Sequence, residues 1–210
     1  MSRCRFLIHS LLPGLLLLTL ACGGRKSATS ETAPEQYKVR MTTTKGDVVI
    51  LVHRDWSPNG ADRFYQLTNM RFYDDNRFFR ALKGFIVQWG MNGDPKTNKD
   101  WSEISIKDDP PKVSNKVGTV VFAAAGPNSR TTQVFINLGD NSRSLDPQGF
   151  TPFGEVIQGM ENVMNIFSEY GEGAPQGTGP SQAAIADIGN PYLEEHFPKL
   201  DYIKTANIVQ

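Results

Sequence analysis

Arg77-Phe78-Phe79-Arg80-Ala81-Leu82-Lys83-Gly84-Phe85-Ile86-Val87-Gln88-Trp89-Gly90 sets a guanidinium and an amide among bulky apolar side chains. In an ordinary strand, alternation sends one set of side chains to a core and the other to solvent. Here Phe78, Arg80 and Leu82 share one parity and Phe85, Val87 and Trp89 another, with Gly84 between them where the chain can bend or bulge. The stretch therefore predicts two short strands around a break, with Phe85, Ile86 and Gln88 on the same open surface as Arg80. A shallow apolar patch with one charged and one amide donor suits a neutral, partly apolar ligand that exposes carbonyls.

A second stretch has the same character. Val121-Phe122-Ala123-Ala124-Ala125 and Gln133-Val134-Phe135-Ile136 flank a loop whose Gly126, Pro127 and Asn128 are strong turn formers. Phe78, Arg80, Phe85 and Gln88, then Ala125 to Asn128, then Gln133 and Phe135, agree in type, order and spacing with the hallmark of the cyclophilin-type peptidyl-prolyl isomerases, which the sequence resembles from about Tyr37 to Gln210. The resemblance implies an enzyme that needs no cofactor and accelerates rotation about X-Pro bonds in unfolded or partly folded proteins. It places Arg80 on the catalytic arginine, with Gln88 beside it. Phe85, Ile86, Phe135, Leu145 and Phe150 fall on the proline pocket, and Gln88 and the backbone of Ala124 on the groups that hold the neighbouring carbonyls. Gln133 and Ala123 fall on the adjoining groove. The best-known eukaryotic pattern has Trp where Ser144 stands, His where Phe150 stands and Asn where Ala124 stands.

The residues themselves leave other readings open. Arg80 could be a surface arginine lying over aromatic rings, and Phe85, Phe135 and Leu145 could be core filling. A proline-peptide binding module or holdase with incidental turnover would use the same side chains. Metal and triad chemistry lack an inventory: His53 and His196 have no companion at ligand spacing, and Ser129, Ser142 and Ser144 lie in no nucleophile motif. Asp108-Asp109 and Glu194-Glu195 read as solvated charges. Gly171-Glu172-Gly173-Ala174-Pro175-Gln176-Gly177-Thr178-Gly179 is rich in glycine but follows a helical stretch, whereas a phosphate-binding loop follows a strand.

Across the 210 residues, 22 basic side chains balance 22 acidic ones, so there is no basic footprint for nucleic acid. The first residues are of a different kind: Arg3 and Arg5, an apolar run from Phe6 to Ala21, then Cys22-Gly23-Gly24. That is the layout of a secretory signal, and Thr19-Leu20-Ala21-Cys22 resembles the lipobox of bacterial lipoproteins, in which the cysteine is acylated. The expected organisation is a signal peptide over 1–21, a lipidated Cys22 with a flexible tether over 22–36, and an isomerase domain over 37–210. That organisation anchors a monomer to a bacterial membrane in the cell envelope, with proline-containing polypeptides as its partners.

Within the domain, Tyr37–Thr44 and Asp47–Arg54 read as strands joined by a Lys45-Gly46 hairpin. Ser57-Pro58 opens a helix whose Phe64, Leu67 and Met70 form an apolar stripe. Met91–Pro111 reads as a long polar connection. Strands follow near 117–124, 133–138, 152–157 and 201–210, with a helix over 159–167 bearing Met160, Val163, Met164 and Phe167 on one face, and a broken helix over 182–200. Strand count, the two amphipathic segments and the resemblance together favour a mainly β fold: a closed eight-stranded antiparallel β-barrel capped by two α-helices.

Overall fold

The Lys45-Gly46 hairpin starts the sheet. In the computed structural model, which describes residues 32–209, β1 (Gln36–Thr43) pairs antiparallel with β2 (Gly46–His53). Val48, Ile50 and Val52 turn inward as their alternation requires. The remaining strands are β3 (Asn76–Arg77), β4 (Arg80–Leu82), β5 (Ile86–Trp89), β6 (Thr119–Phe122), β7 (Val134–Asn137), β8 (Pro152–Gln158) and β9 (Tyr202–Val209). They form one curled antiparallel sheet in the order β3-β9-β1-β2-β8-β6-β7-β5-β4.

The expected closed eight-stranded barrel is corrected here. Among the described residues there are nine strands, and the edge strands β3 and β4 are joined by the chain rather than by a ladder. Only Phe78 and Phe79 separate them, and these two rings point apart. Phe78 enters the main core, edge-to-face with Trp89 at 5.8 Å between centroids, whereas Phe79 turns outward into a second apolar cluster. Strand alternation does not run through this corner, which is why Phe78 and Arg80 do not share a face.

The helices also exceed the two expected. They are α1 (Pro58–Asn69), α2 (Pro95–Ser102), α3 (Ser142–Leu145), α4 (Met160–Met164), α5 (Gln182–Ile188) and α6 (Asn190–His196). α1 buries Phe64 and Leu67 completely, but Met70 is its exposed C-cap. α2 lies in the supposed polar connection: Asp94 accepts from the Lys96 and Thr97 N–H groups, Pro95 opens the first turn, and Trp101 is buried against the core. α4 buries Val163 and leaves Met164 exposed. A glycine at 189 with φ 76° separates α5 from α6.

Ser57 stands at the N-cap of α1, but its hydroxyl does not cap. It donates to Asp109 Oδ2 at 2.5 Å, and Asp109 accepts the N–H groups of Asn59 at 3.0 Å and Gly60 at 3.1 Å. Asp109 is therefore a buried helix cap delivered from a distant loop, not the solvated charge expected of it.

The main core lies inside the curled sheet and includes Val39, Met41, Ile50, Phe64, Val87, Trp89, Val120, Phe122, Ile136 and Phe153. Each such side chain contributes roughly 1.5–3 kcal/mol by leaving water. Ala33 and Glu35, at the end of the expected tether, are held on this body: the Ala33 N–H donates to Asp62 Oδ1 at 2.9 Å, and the Glu35 carbonyl accepts from the Arg54 N–H at 2.9 Å. The second cluster joins Phe79 and Met91 to Ile185, Leu193 and Leu200, so it fastens α5 and α6 to the β3–β4 corner. The signal segment and Cys22 lie outside the described residues.

Candidate active site

One rung of the sheet carries the site. Arg80 on β4 pairs across to Gln88 on β5, Gln88 to Phe135 on β7, and Phe135 to Val121 on β6. The next rung, Ala81, Val87, Ile136 and Val120, points into the main core. Because side chains alternate with period two, packing the second rung inside forces the first onto the outer face. The break at Gly84, with φ 73°, turns β4 into β5, as the sequence predicted.

On the outer face Ile86, Val121, Phe135 and Leu145 form a third apolar cluster, with Phe85, Ala123 and Phe150 packed partly buried against it. Phe150 meets Phe135 edge-to-face at 5.8 Å between centroids, and the Arg80 guanidinium lies 5.8 Å from the centre of the Phe85 ring. These are the pocket residues the sequence nominated, brought together from β5, β6, β7, the turn before β5 and the α3 region. Val121 is the member that was not nominated, because a valine in a strand gives no sign of which face it will take.

Beside the apolar cluster runs a polar chain. Arg80 Nη1 donates to Gln88 Oε1 at 3.1 Å, Gln88 Nε2 to Gln133 Oε1 at 2.7 Å, and Gln133 Nε2 to Gln182 Oε1 at 3.0 Å. At its other end Arg80 donates from Nε and Nη2 to the two oxygens of Glu172, at 2.7 and 2.6 Å. These bonds, the arginine's charge and the Gly173 N–H hold the Glu172 carboxyl below its ordinary pKa, against the opposing effect of partial burial. Ala123 is tied to β7, its N–H donating to the Gln133 carbonyl at 2.9 Å, and Ala124 stands half-exposed just beyond it. From Gln133 a groove of about 570 Å³ continues between α2 and α5, past Met91, Asn98, Thr132 and Ala186.

Sequence reasoning also missed an amide network behind the pocket. Asn141 Nδ2 donates to the Phe85 carbonyl at 2.8 Å and to Asn137 Oδ1 at 2.7 Å, and Asn137 Nδ2 donates to Asn115 Oδ1 at 3.1 Å. Asn115 in turn donates to the Phe150 carbonyl at 2.8 Å. Two walls of the pocket thus hang on buried asparagines scattered along the chain, with no motif to announce them. Glu172 was passed over for a related reason: the glycine-rich run was weighed as a phosphate loop, and its one carboxylate was not weighed as a partner for arginine. Among the described residues, no group of three or more His, Cys, Asp or Glu is gathered as a metal site. No described helix is long and apolar enough to cross a membrane.

A family model described as cyclophilin type peptidyl-prolyl cis-trans isomerase/CLD matches residues 38–186. Peptidyl-prolyl cis-trans isomerase B of Escherichia coli is 32% identical over 136 residues, covering 61% of this chain and 82% of that protein. A peptidyl-prolyl cis-trans isomerase of Acinetobacter baylyi is 30% identical over 133 residues, covering 61% of this chain and 70% of that protein. Among solved structures, a cyclophilin type isomerase of Cryptosporidium parvum superposes with a TM-score of 0.59 at 21% identity, over 83% of this chain and 98% of that one, a likeness of fold.

Proposed function

The chain belongs to the cyclophilin-type peptidyl-prolyl cis-trans isomerase family, and from that premise we propose how its residues accelerate rotation about an X-Pro bond. Resonance gives that bond partial double-bond character and a barrier of ~18–20 kcal/mol, so the task is to localise the nitrogen lone pair in the twisted state. Arg80 does this by donating a hydrogen bond to the prolyl nitrogen. Its bonds to Glu172 and Gln88 leave an N–H on each Nη nitrogen for substrate. The apolar cluster of Phe85, Ile86, Phe135, Leu145 and Phe150 takes the proline ring and excludes water, which strengthens the new bond. Gln88 and the Ala124 backbone hold the flanking carbonyls, and Ala123 and Gln133 floor the groove that receives the adjacent residues.

The observation that carries this reading is the single rung that sets a guanidinium, an amide and Phe135 side by side over an open apolar cluster. NMR exchange on a proline peptide tests it. Arg80→Ala should lower kcat/KM by about 10²-fold, the typical loss when one electrostatic stabiliser is removed, with the fold intact by circular dichroism. Unchanged turnover in a folded Arg80→Ala protein refutes the role.

The reading extends to place. We propose that Cys22 is acylated and, with residues 1–21 removed, becomes the first mature residue, so that the chain works from a bacterial membrane in the cell envelope on unfolded or partly folded clients. The basic start, apolar run and Thr19-Leu20-Ala21-Cys22 sequence support it. Cys22→Ser should release the protein from membranes, and mass spectrometry of the membrane-bound wild type should find a diacylglyceryl cysteine at the new N-terminus. A cleaved but unmodified N-terminus in that fraction ends the proposal.

A further inference from the structure

We infer that Glu172 is a positioning residue for the isomerase reaction, fixing the plane of the Arg80 guanidinium so that its Nη1 edge faces Gln88 and the proline pocket. The inference rests on the catalytic reading of Arg80 above. Long side chains at a rim sample many rotamers, and an isolated exposed ion pair is a weak restraint. Here the restraint is bidentate: both carboxylate oxygens bind the Nε–Nη2 edge, at 2.7 and 2.6 Å, and Gln88 takes Nη1 at 3.1 Å. A fork matched on one edge and anchored on another has little rotational freedom left.

Glu172 is itself delivered on a braced backbone. Its carbonyl accepts the Gly179 N–H at 2.8 Å, its Oε1 accepts the Gly173 N–H at 3.1 Å, and Gly173 bridges Gly179. The turn closes tightly around it. A Cβ at position 177 would lie 2.3 Å from the Glu172 carbonyl oxygen, and one at 179 would lie 2.8 Å from it. The segment is anchored beyond the turn as well, because α5 packs Ile185 against Phe79, the residue preceding Arg80. Gln182, from the first turn of α5, meets Gln133 at the far end of the polar chain. The segment 172–182 thus grips the catalytic row at both ends, Arg80 and Gln133. Arg80 is the charged group acting on Glu172, and the other side chains of the row, Gln88, Gln133 and Gln182, are neutral.

The test compares Glu172→Ala, Glu172→Gln, Arg80→Ala and the Glu172→Ala/Arg80→Ala double variant by NMR exchange on a proline peptide, with circular dichroism for folding. Glu172→Ala should lower kcat on the order of 10-fold with KM little changed, within the ~10²-fold that misplacing a positioned group can cost. Glu172→Gln, which keeps one acceptor, should fall between wild type and Glu172→Ala. In the double variant the loss of Glu172 should cost nothing beyond Arg80→Ala. Two further readouts follow the ion pair directly: the Arg80 Nε–H resonance, resolved in wild type, should broaden or vanish in Glu172→Ala. The wild-type kcat should also fall as pH drops below the ordinary carboxylate range, while that of Glu172→Gln stays level. Because substitution at 172 can loosen the segment, Gly177→Ala gives a second approach, displacing the turn with the carboxylate retained and reproducing the Glu172→Ala loss. Wild-type kcat in both Glu172 variants, or kcat above wild type, overturns the inference while leaving Arg80's role standing. Wild-type kcat in Arg80→Ala overturns both.

Discussion

Arg130 meets Asp109 inside the protein, and Arg80 meets Glu172 at its surface. In the first pair the side chains are 6% and 3% exposed; in the second, 21% and 34%. Asp109 is filled by protein donors: Arg130 Nη2 at 3.0 Å, the Ser57 hydroxyl and two N–H groups of α1. Arg130 also donates to the Lys107 carbonyl, so that pair stitches a loop to a helix end. Arg80 has a matched carboxylate too, but its remaining N–H groups border an open apolar cluster. Two guanidinium–carboxylate pairs of the same chemistry are divided by burial and by what their unused donors face. The first ties a loop to a helix end, and the second is the pair for which a catalytic role is proposed.

If that division holds, the largest stability effect comes from the buried pair. Asp109→Ala should destabilise the domain by about 3–5 kcal/mol, because it leaves the buried Arg130 with only the more exposed Asp108, 3.3 Å from its Nε, as counter-charge and uncaps α1. Turnover per folded molecule should be unchanged. Chemical denaturation paired with NMR exchange measures both, and a stable variant with lost turnover would reverse the assignment of the two pairs.

The same contrast exists within one strand. Ile136 and Phe135 are neighbours on β7, yet Ile136 belongs to the main core and Phe135 to the outer cluster. Ile136→Ala should cost about 2–5 kcal/mol of stability and leave the kcat/KM of the folded fraction alone. Phe135→Ala should lose less stability, since its neighbours Phe85 and Phe150 are only partly buried and can relax into the space. It should also weaken peptide binding. Equal melting losses with unaffected KM would place both residues in the scaffold.

How far the site could be read in advance follows from the same distinction. Phe135 was nominated through the family resemblance, whereas the placement of Arg80 and Gln88 side by side was legible because strand alternation is local and an arginine among aromatics stands out against the pattern. The hairpin at Lys45-Gly46, α1 and the inward set Val48, Ile50 and Val52 were legible for that reason too. Asp109, Glu172 and the Asn115-Asn137-Asn141 network were not, since each acts on a group far along the chain: Asp109 on residues 57 to 60, Glu172 on residue 80. The barrel was misjudged at Phe78-Phe79, where one ring turns inward and the next outward. A strand pattern does not disclose that the intervening chain replaces a ladder.

A milder substitution separates charge from geometry at the two arginines. Lysine keeps the positive charge but lacks the planar fork. Arg80→Lys should slow turnover by about tenfold, since a point charge cannot hold Glu172 and Gln88 while still presenting a directed N–H to substrate. Its stability should change little, because the pair it disrupts is partly solvated. Arg130→Lys should do the opposite, lowering the melting temperature and sparing kcat. Matched melting curves and exchange rates for the two variants check this, and a wild-type rate for Arg80→Lys would mean that charge alone suffices at the site.

The smallest effect is the one whose pH dependence identifies its source. The Glu172 carboxyl is held below its ordinary value chiefly by hydrogen bonds from Arg80. The unfolded chain therefore takes up the proton at a higher pH than the folded one does. The stability contributed by the pair is complete above the ordinary carboxylate value and is lost as pH falls through the depressed folded value. For a partly exposed pair it should amount to no more than about 1 kcal/mol, and added salt should reduce it. Wild type should accordingly melt slightly above Glu172→Gln at neutral pH, and the two melting temperatures should converge as the solution is acidified. Coincident melting temperatures already at neutral pH would mean that the segment is held by Ile185 and its apolar neighbours alone. The carboxylate would then contribute to the orientation of Arg80 without contributing to the stability of the fold.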